Sequence, residues 1–473
     1  MELEKHEGVA QVPDIGAVEA MHRLGEEGIE GACPTHHLDG DGETDDTNDE
    51  NGEIQDNDDP SEDAKSDTSS TASCGDEPPP LNLNYEALKY IADNFLPGSH
   101  GPCVDITSMR PGGFHEIRVL HFEDGWSCIA RFTIEYEVLQ KTESELATIE
   151  YVRKNTTIPV PEIYFINHNE NHVVGSAFVL MERMDGEQLC NVWSDLSLKH
   201  KLDVIEQLAN VTGQLADQKF DKIGVITKDG TIGPLLSNKD PTQTIADHAF
   251  TSTIDSYLAY LENDNPKRTE AAKKLYHEAR DEIRSFFEHN ATNPLLHAPY
   301  RLMHGDYGSQ NILVVQADND LPPKISAIID WDLSQTIEVE ALYEYPGWII
   351  DDNSNKAEDG WAKNKVLRKH FVASLMQHYP QDSPERKLVK QCFREKSYIL
   401  TYFGTTFMWD MENEESAEKR VRGYLNVIRG QTDEMFRHPY DRLDWKIDSD
   451  LEDSDAESGD EETSRNSDGE LES

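Results

Sequence analysis

Three side chains in a thirty-residue stretch have the types and spacing for chemistry. His304-Gly305-Asp306 is followed, after four intervening residues, by Asn311, and a further acid, Asp330, closes the apolar run Ile325, Ala327, Ile328, Ile329. A carboxylate, an amide and a second carboxylate in this order suit phosphoryl transfer. One acid orients an attacking hydroxyl and accepts its proton, while the amide and the other acid hold a metal that bridges nucleotide phosphates. Hard oxygen ligands without a His/Cys set point to Mg²⁺ rather than zinc. His304 reads as a structural histidine that braces the loop. Trp331 reads as packing, and Asp332 as an assistant to Asp330 or a cap for the next segment.

The elements that must position these groups are two short apolar runs. Ile312 to Val315 and Ile325 to Ile329 are rich in β-branched residues, so they are expected to pair as strands. Pairing puts Asn311 and Asp330 at neighbouring strand ends, with Asp306 on the loop before. A buried hairpin capped by acids would use the same residues. Several agreeing motif elements at this spacing favour the chemical reading.

H-G-D-x-x-x-x-N-I-L-V followed by I-I-D-W-D resembles the aminoglycoside phosphotransferase and choline kinase-like branch of the protein-kinase fold, in the manner of the fungal-type phosphotransferase-domain proteins. Protein kinases carry H-R-D and D-F-G at these places. The resemblance implies an α+β, two-lobed, protein-kinase-like fold with a small β-rich N-lobe and a larger, mostly helical C-lobe. It also implies ATP- or GTP-dependent transfer of a γ-phosphate to a hydroxyl of a small molecule, with Mg²⁺. Asp306, Asn311 and Asp330 would be catalytic, with Asn311 and Asp330 on the metal.

The N-lobe follows in order. A helix is expected over Tyr85 to Phe95. Gly112-Gly113 precedes a strand, Ile117 to Phe122, which turns at Asp124-Gly125 into a second strand, Trp126 to Phe132. In the resembled fold the glycine turn covers the nucleotide phosphates, because glycine lets the backbone come close. Arg131 stands where that fold usually has Lys, and its fork can hold phosphate oxygens. Thr142 and Glu145 have capping-box spacing at the start of a helix. Glu145 is also the candidate acid to pair with Arg131, with Glu143 as rival. After strands at Ile163–Ile166 and Val173–Met181, the backbone around Glu182 to Met184 would meet the adenine edge by analogy.

The remaining periodicity predicts C-lobe helices at Leu198–Phe220, Thr242–Leu261, Glu270–His289, Trp361–His378, Pro384–Trp409 and Ser416–Phe436. The expected division is a disordered acidic region 1–80, an N-lobe 81–185, a C-lobe 186–447 and a disordered, acidic, Ser-rich tail 448–473. Composition agrees with that division. The formal net charge is −49, and residues 1–80 alone carry 24 acids against 3 bases. Such segments bury too little apolar surface to offset their ordering entropy, and read as solvated linkers or contacts for protein partners. The charge argues against nucleic acid as a partner. No apolar run is long enough for a bilayer span. Six scattered cysteines without a C-x-x-C pair, and no signal-peptide pattern at the start, suggest a reducing, cytoplasmic setting, with the nucleus as the second choice. The rival function is a nucleotide-binding pseudokinase that acts as an interaction scaffold.

Overall fold

A computed structural model describes residues 81–109, 115–133, 139–237, 244–262, 269–289, 296–316, 321–350, 360–394 and 414–430. Gly112-Gly113 and both acidic terminal segments therefore lie outside the described residues. The elements of the N-lobe are α1 (Tyr85–Phe95), β1 (Cys103–Ser108), β2 (His115–Phe122), β3 (Ser127–Thr133), α2 (Leu139–Asn155), β4 (Ile163–Asn167) and β5 (Phe178–Glu182). Their strands form an antiparallel five-stranded sheet in the order β1-β2-β3-β5-β4. The β2–β3 hairpin turns at Gly125, whose φ of 87° suits glycine.

Alternation along β3 decides which way Arg131 points. Cys128, Ala130 and Phe132 pack with Leu88 and Ile91 of α1 on one face. Ile129 lies on the opposite face, with Leu146 of α2 and Val179 and Met181 of β5. Successive strand side chains point to opposite sides, so Arg131 shares the α2 face with Ile129. The Asn84 side chain accepts from the Ala87 amide to begin α1.

The larger lobe opens with β6 (Glu187–Gln188), α3 (Leu189–Val192) and α4 (Leu198–Asp217). It continues through β7 (Lys219–Phe220), β8 (Leu235–Leu236), β9 (Thr244–Ala246), α5 (Thr253–Glu262), α6 (Glu270–His289), β10 (Tyr300–Met303), β11 (Ile312–Val315), β12 (Lys324–Ile328) and β13 (Gln335–Ile337). It closes with α7 (Val339–Leu342), α8 (Gly360–Gln377), α9 (Pro384–Arg394) and α10 (Glu414–Ile428). The α4 helix is capped by Ser197, buries Val204, Ile205, Leu208 and Leu215, and packs on α8. One continuous core joins α4, α6, α8, α9 and α10 to the β11–β12 hairpin. The architecture is the α+β, two-lobed, kinase-like one implied by the sequence.

Several boundaries differ from the expectations. Helix α2 begins by Leu139, so Thr142 lies inside it and cannot be its N-cap. The strand expected from Val173 starts only at Phe178. Before it, the chain turns at Gly175, with φ 99°, where a Cβ would lie 2.5 Å from the Asn82 carbonyl oxygen. Helix α4 stops at Asp217, and Lys219-Phe220 pairs with β10. The helix expected from Thr242 begins at Thr253, because Thr244–Ala246 pairs with Leu235-Leu236. The last two helices cover Pro384–Arg394 and Glu414–Ile428; the second stops short of the expected Phe436, because the chain turns at Arg429-Gly430 with φ 73° at Gly430, while 395–409 and 431–436 lie outside the described residues. No described helix is long and apolar enough to cross a membrane.

Candidate active site

The two loops that carry the acids are welded together. Strand β11 pairs with β12, Ile312 opposite Ile328, and the Ile329 amide donates to the Asn311 carbonyl at 2.9 Å. His304 forms a second weld. One ring nitrogen, Nε2, lies 3.0 Å from the Ile329 carbonyl oxygen, and Nδ1 lies 3.2 Å from the Asp306 amide nitrogen. A carbonyl only accepts and an amide only donates, so the ring is the neutral Nε2–H tautomer. Burial, foremost, depresses its pKa to about 4, which keeps it neutral. Gly305 permits the third contact. A Cβ there would sit 2.1 Å from the Leu333 carbonyl oxygen and 2.2 Å from the Leu333 Cβ. Only glycine lets the H-G-D and D-W-D segments approach this closely.

Asp306 has an exposed side chain held in orientation by amides. The Asn311 Nδ2 donates at 2.9 Å both to the Asp306 carbonyl oxygen and to its Oδ2. The Gln310 side chain adds a contact of 3.2 Å to the same carboxylate oxygen. Asn311 is itself buried. With its NH₂ group committed to Asp306, its amide oxygen is turned to the other side, an orientation assigned by the hydrogen-bond network.

Asp330 adopts φ 64°, which among the described residues is unique for a non-glycine. The left-handed turn sends its carboxylate outward and Trp331 inward. Trp331 is fully buried and donates its indole N–H to the Ile328 carbonyl at 3.0 Å. The Asp330 carboxyl is open to solvent yet ringed by protein. Desolvation, then the neighbouring Asp332, push its pKa up towards 6, a lift that solvent screening trims.

Arg131 and Glu145 form a two-point ion pair across β3 and α2. Arg131 Nη1 donates to Glu145 Oε1 at 2.5 Å, and Nη2 donates to Oε2. Glu145 is 1% exposed. Burial pushes the Glu145 carboxyl up against the pull of Arg131. Burial alone would lower Arg131, but Glu145 and the two acids of the D-W-D segment hold it above its ordinary value. Glu143, the rival acid, instead meets Lys228 at 3.3 Å on the surface. Glu145 therefore has the partner expected of the helix acid, and no capping role.

Lys141 and Asp332 are a pair that the sequence reading missed. Lys141 Nζ lies 3.6 Å from Asp332 Oδ2, and both side chains are below 10% exposed. Burial favours the neutral acid, but Arg131 and Lys141 outweigh it and hold the Asp332 carboxyl below its usual range. Lys141 precedes Glu145 by four residues on the same helix face, but nothing in that spacing points to Asp332.

Glu182 ends β5, where its amide donates to the Glu162 carbonyl at 2.8 Å and its carboxylate accepts from the Glu162 amide at 3.1 Å. Met184, half-buried, follows on the segment that enters the larger lobe. Gly186, with φ 124°, packs against Ser326 and Val314 of the β11–β12 hairpin.

The donor set fits a divalent cation shared with phosphate. Arg131 and Lys141 offset the charges of Glu145 and Asp332, and of the four acids at this site Asp306 and Asp330 take part in no ion pair among the described residues. No three His, Cys, Asp or Glu side chains of the described residues converge as a cage.

Residues 119–338 match the model of the phosphotransferase enzyme family. That span holds Arg131, Glu145, Asp306, Asn311 and Asp330, through which the chain resembles the aminoglycoside phosphotransferase branch. A subtelomeric hrmA-associated cluster protein of Aspergillus fumigatus is 29% identical over 153 residues, covering 29% of this chain and 30% of that protein. Clavilactone A biosynthesis cluster protein Y of Ampulloclitocybe clavipes is 24% identical over 237 residues, covering 46% of this chain and 55% of that one. The chain thus spans about 30% of the length of the first of these relatives. Among solved structures, the ADP-bound aminoglycoside phosphotransferase APH(2'')-Ib gives a TM-score of 0.42 at 11% identity, over 72% of this chain and 96% of that one.

Proposed function

We propose that this chain transfers the γ-phosphoryl group of ATP or GTP to a hydroxyl of a small molecule. The observation that carries the proposal is the oriented Asp306 carboxylate, fixed by Asn311 and Gln310 on a loop tied by His304 to the segment that bears Asp330. Asp306 accepts the proton of the acceptor hydroxyl as that oxygen attacks the phosphoryl group. Asn311, through its amide oxygen, and Asp330 would hold Mg²⁺, which would supply positive charge to neutralise the phosphates. Arg131, fixed by Glu145, retains N–H groups for phosphate oxygens. The backbone from Glu182 to Met184 is assigned to the adenine edge, and Gly112-Gly113 to the phosphate cover.

The catalytic unit of this reading is residues 81–447, in a reducing, cytoplasmic setting. The four described cysteines are all free thiols. The acidic segments 1–80 and 448–473 are assigned as solvated tails open to protein partners. The rival reading, a nucleotide-binding scaffold without catalysis, rests on Arg131 standing where the resembled fold usually has Lys. Thermal melting of the full chain with Mg-ATP or Mg-GTP, followed by a phosphate-transfer screen over small hydroxylated molecules, separates the two. A melting rise with transfer supports the enzyme, and a rise without transfer to any acceptor supports the scaffold. Absence of a rise with either nucleotide at millimolar concentration refutes both.

A further inference from the structure

We propose that Lys141 is a positioning residue whose buried ion pair with Asp332 clamps the D-W-D segment to helix α2 and so fixes Asp330 for metal-bridged phosphate. The function assigned to Asp330 rests on the phosphotransferase reading, whereas the clamp rests on the ion pair itself. Four observations carry it. Lys141 Nζ lies 3.6 Å from Asp332 Oδ2, with side chains 6% and 9% exposed. Asp332 Oδ1 is buried and has no hydrogen-bond partner among the described residues, and Lys141 is the cation that lies against the carboxylate. Asp330, two residues earlier, holds a left-handed backbone, a conformation that persists only where its surroundings enforce it. Lys141 and Glu145 lie one turn apart on α2, so one helix face carries both an acid for the β3 base and a base for the D-W-D acid.

The pair also decides which acid is available to the metal. Lys141 forms its ion pair with Asp332, whereas Asp330 takes part in no ion pair among the described residues. Without Lys141 the buried Asp332 loses one of its two neighbouring cations, and the segment gains freedom to re-aim Asp330. An unpaired buried charge is strongly destabilising, so the segment would open locally before the lobe unfolds.

The test uses the full chain and two readouts. In Lys141→Met, Mg-ATP affinity by titration calorimetry should fall about tenfold or more, while adenosine, which lacks phosphate, should bind as to wild type. Hydrogen exchange at the Ser334 amide, which donates to the Trp331 carbonyl at 3.1 Å, should quicken. Lys141→Arg keeps the charge and should restore most of both, which covers the case in which Lys141→Met fails to fold. The double variant Lys141→Met with Asp332→Asn should lose less than the sum of the single changes. Unchanged exchange at Ser334 overturns the clamp whether or not nucleotide binds. Equal losses for Mg-ATP and adenosine overturn the positioning of Asp330. If wild type binds no nucleotide, the phosphotransferase reading fails together with the function given to Asp330, and the exchange result alone then decides the clamp.

Discussion

Gly305→Ala is the sharpest test of how the site is assembled. The new methyl carbon would stand 2.1 Å from the Leu333 carbonyl oxygen and 2.2 Å from its Cβ. Ordinary non-bonded contacts lie near ~3.5–4.0 Å, so the H-G-D and D-W-D segments must part by about 1 Å or more. The obstructing atoms belong to backbone and Cβ, which no rotamer change moves. Overpacking of this kind costs about 1–3 kcal/mol, and for a folded unit of this size the melting temperature should fall by about 1–4 °C. A ~1 Å displacement of positioned groups costs on the order of 10²-fold in rate. The expected pattern is therefore a modest loss of stability with a much larger loss of turnover. Gly347→Ala is the control, since a Cβ there meets nothing within 4 Å. Differential scanning calorimetry and phosphate-transfer rates read the two effects. A Gly305→Ala protein that melts with wild type refutes the close approach and the reason given for glycine in H-G-D.

Asp306→Asn should keep Mg-nucleotide affinity close to wild type while transfer falls by orders of magnitude; a retained rate would make the H-G-D motif structural. Asp330→Asn should weaken Mg-nucleotide binding as well as transfer, and equal affinity for both proteins would remove Asp330 from the metal. His304 has a folded pKa of about 4 against an ordinary value near ~6.5. Between those values the unfolded chain binds more protons, so stability is lost as pH falls from about 6.5 to 4, by about 3 kcal/mol in all. Burial also depresses His115, to about 3, so His304→Gln should flatten only its own part of the slope in urea titrations across that range. An unaltered slope would show that His304 does not change charge between the two states.

Local patterns made much of this fold legible. The β11–β12 hairpin was readable because β-branched apolar runs have few alternatives to a buried strand. Helices α1 and α6 were readable from spacing and match their expected spans, Tyr85–Phe95 and Glu270–His289. The start of α2 was not, because T-x-x-E spacing fits both a helix start and a helix acid, and only the Arg131 contact separates them. The segment 244–252 misled for a related reason. Its residues suit a helix until Leu235-Leu236 and the bridge from Ile223 to Phe250 recruit it into extended structure. The Lys141–Asp332 pair spans 191 positions, and a contact at that distance leaves no periodic trace. The hydrogen bond from Asn311 to Asp306 was hidden differently, since spacing placed both residues but said nothing of which amide atom faces the acid.

The tryptophan between the two acids has a consequence for control. Its ring is wholly enclosed and its N–H is satisfied by Ile328. Everting such a ring exposes on the order of 200 Å², which at ~25 cal/mol per Å² is about 5 kcal/mol. The everted arrangement would then occupy about one molecule in several thousand at equilibrium. A compound that captures it would forfeit that fraction of its intrinsic affinity, roughly three to four decades. Rotation of this segment is thus a poor on–off device, and inhibitors of this chain should be sought against the arrangement it already holds.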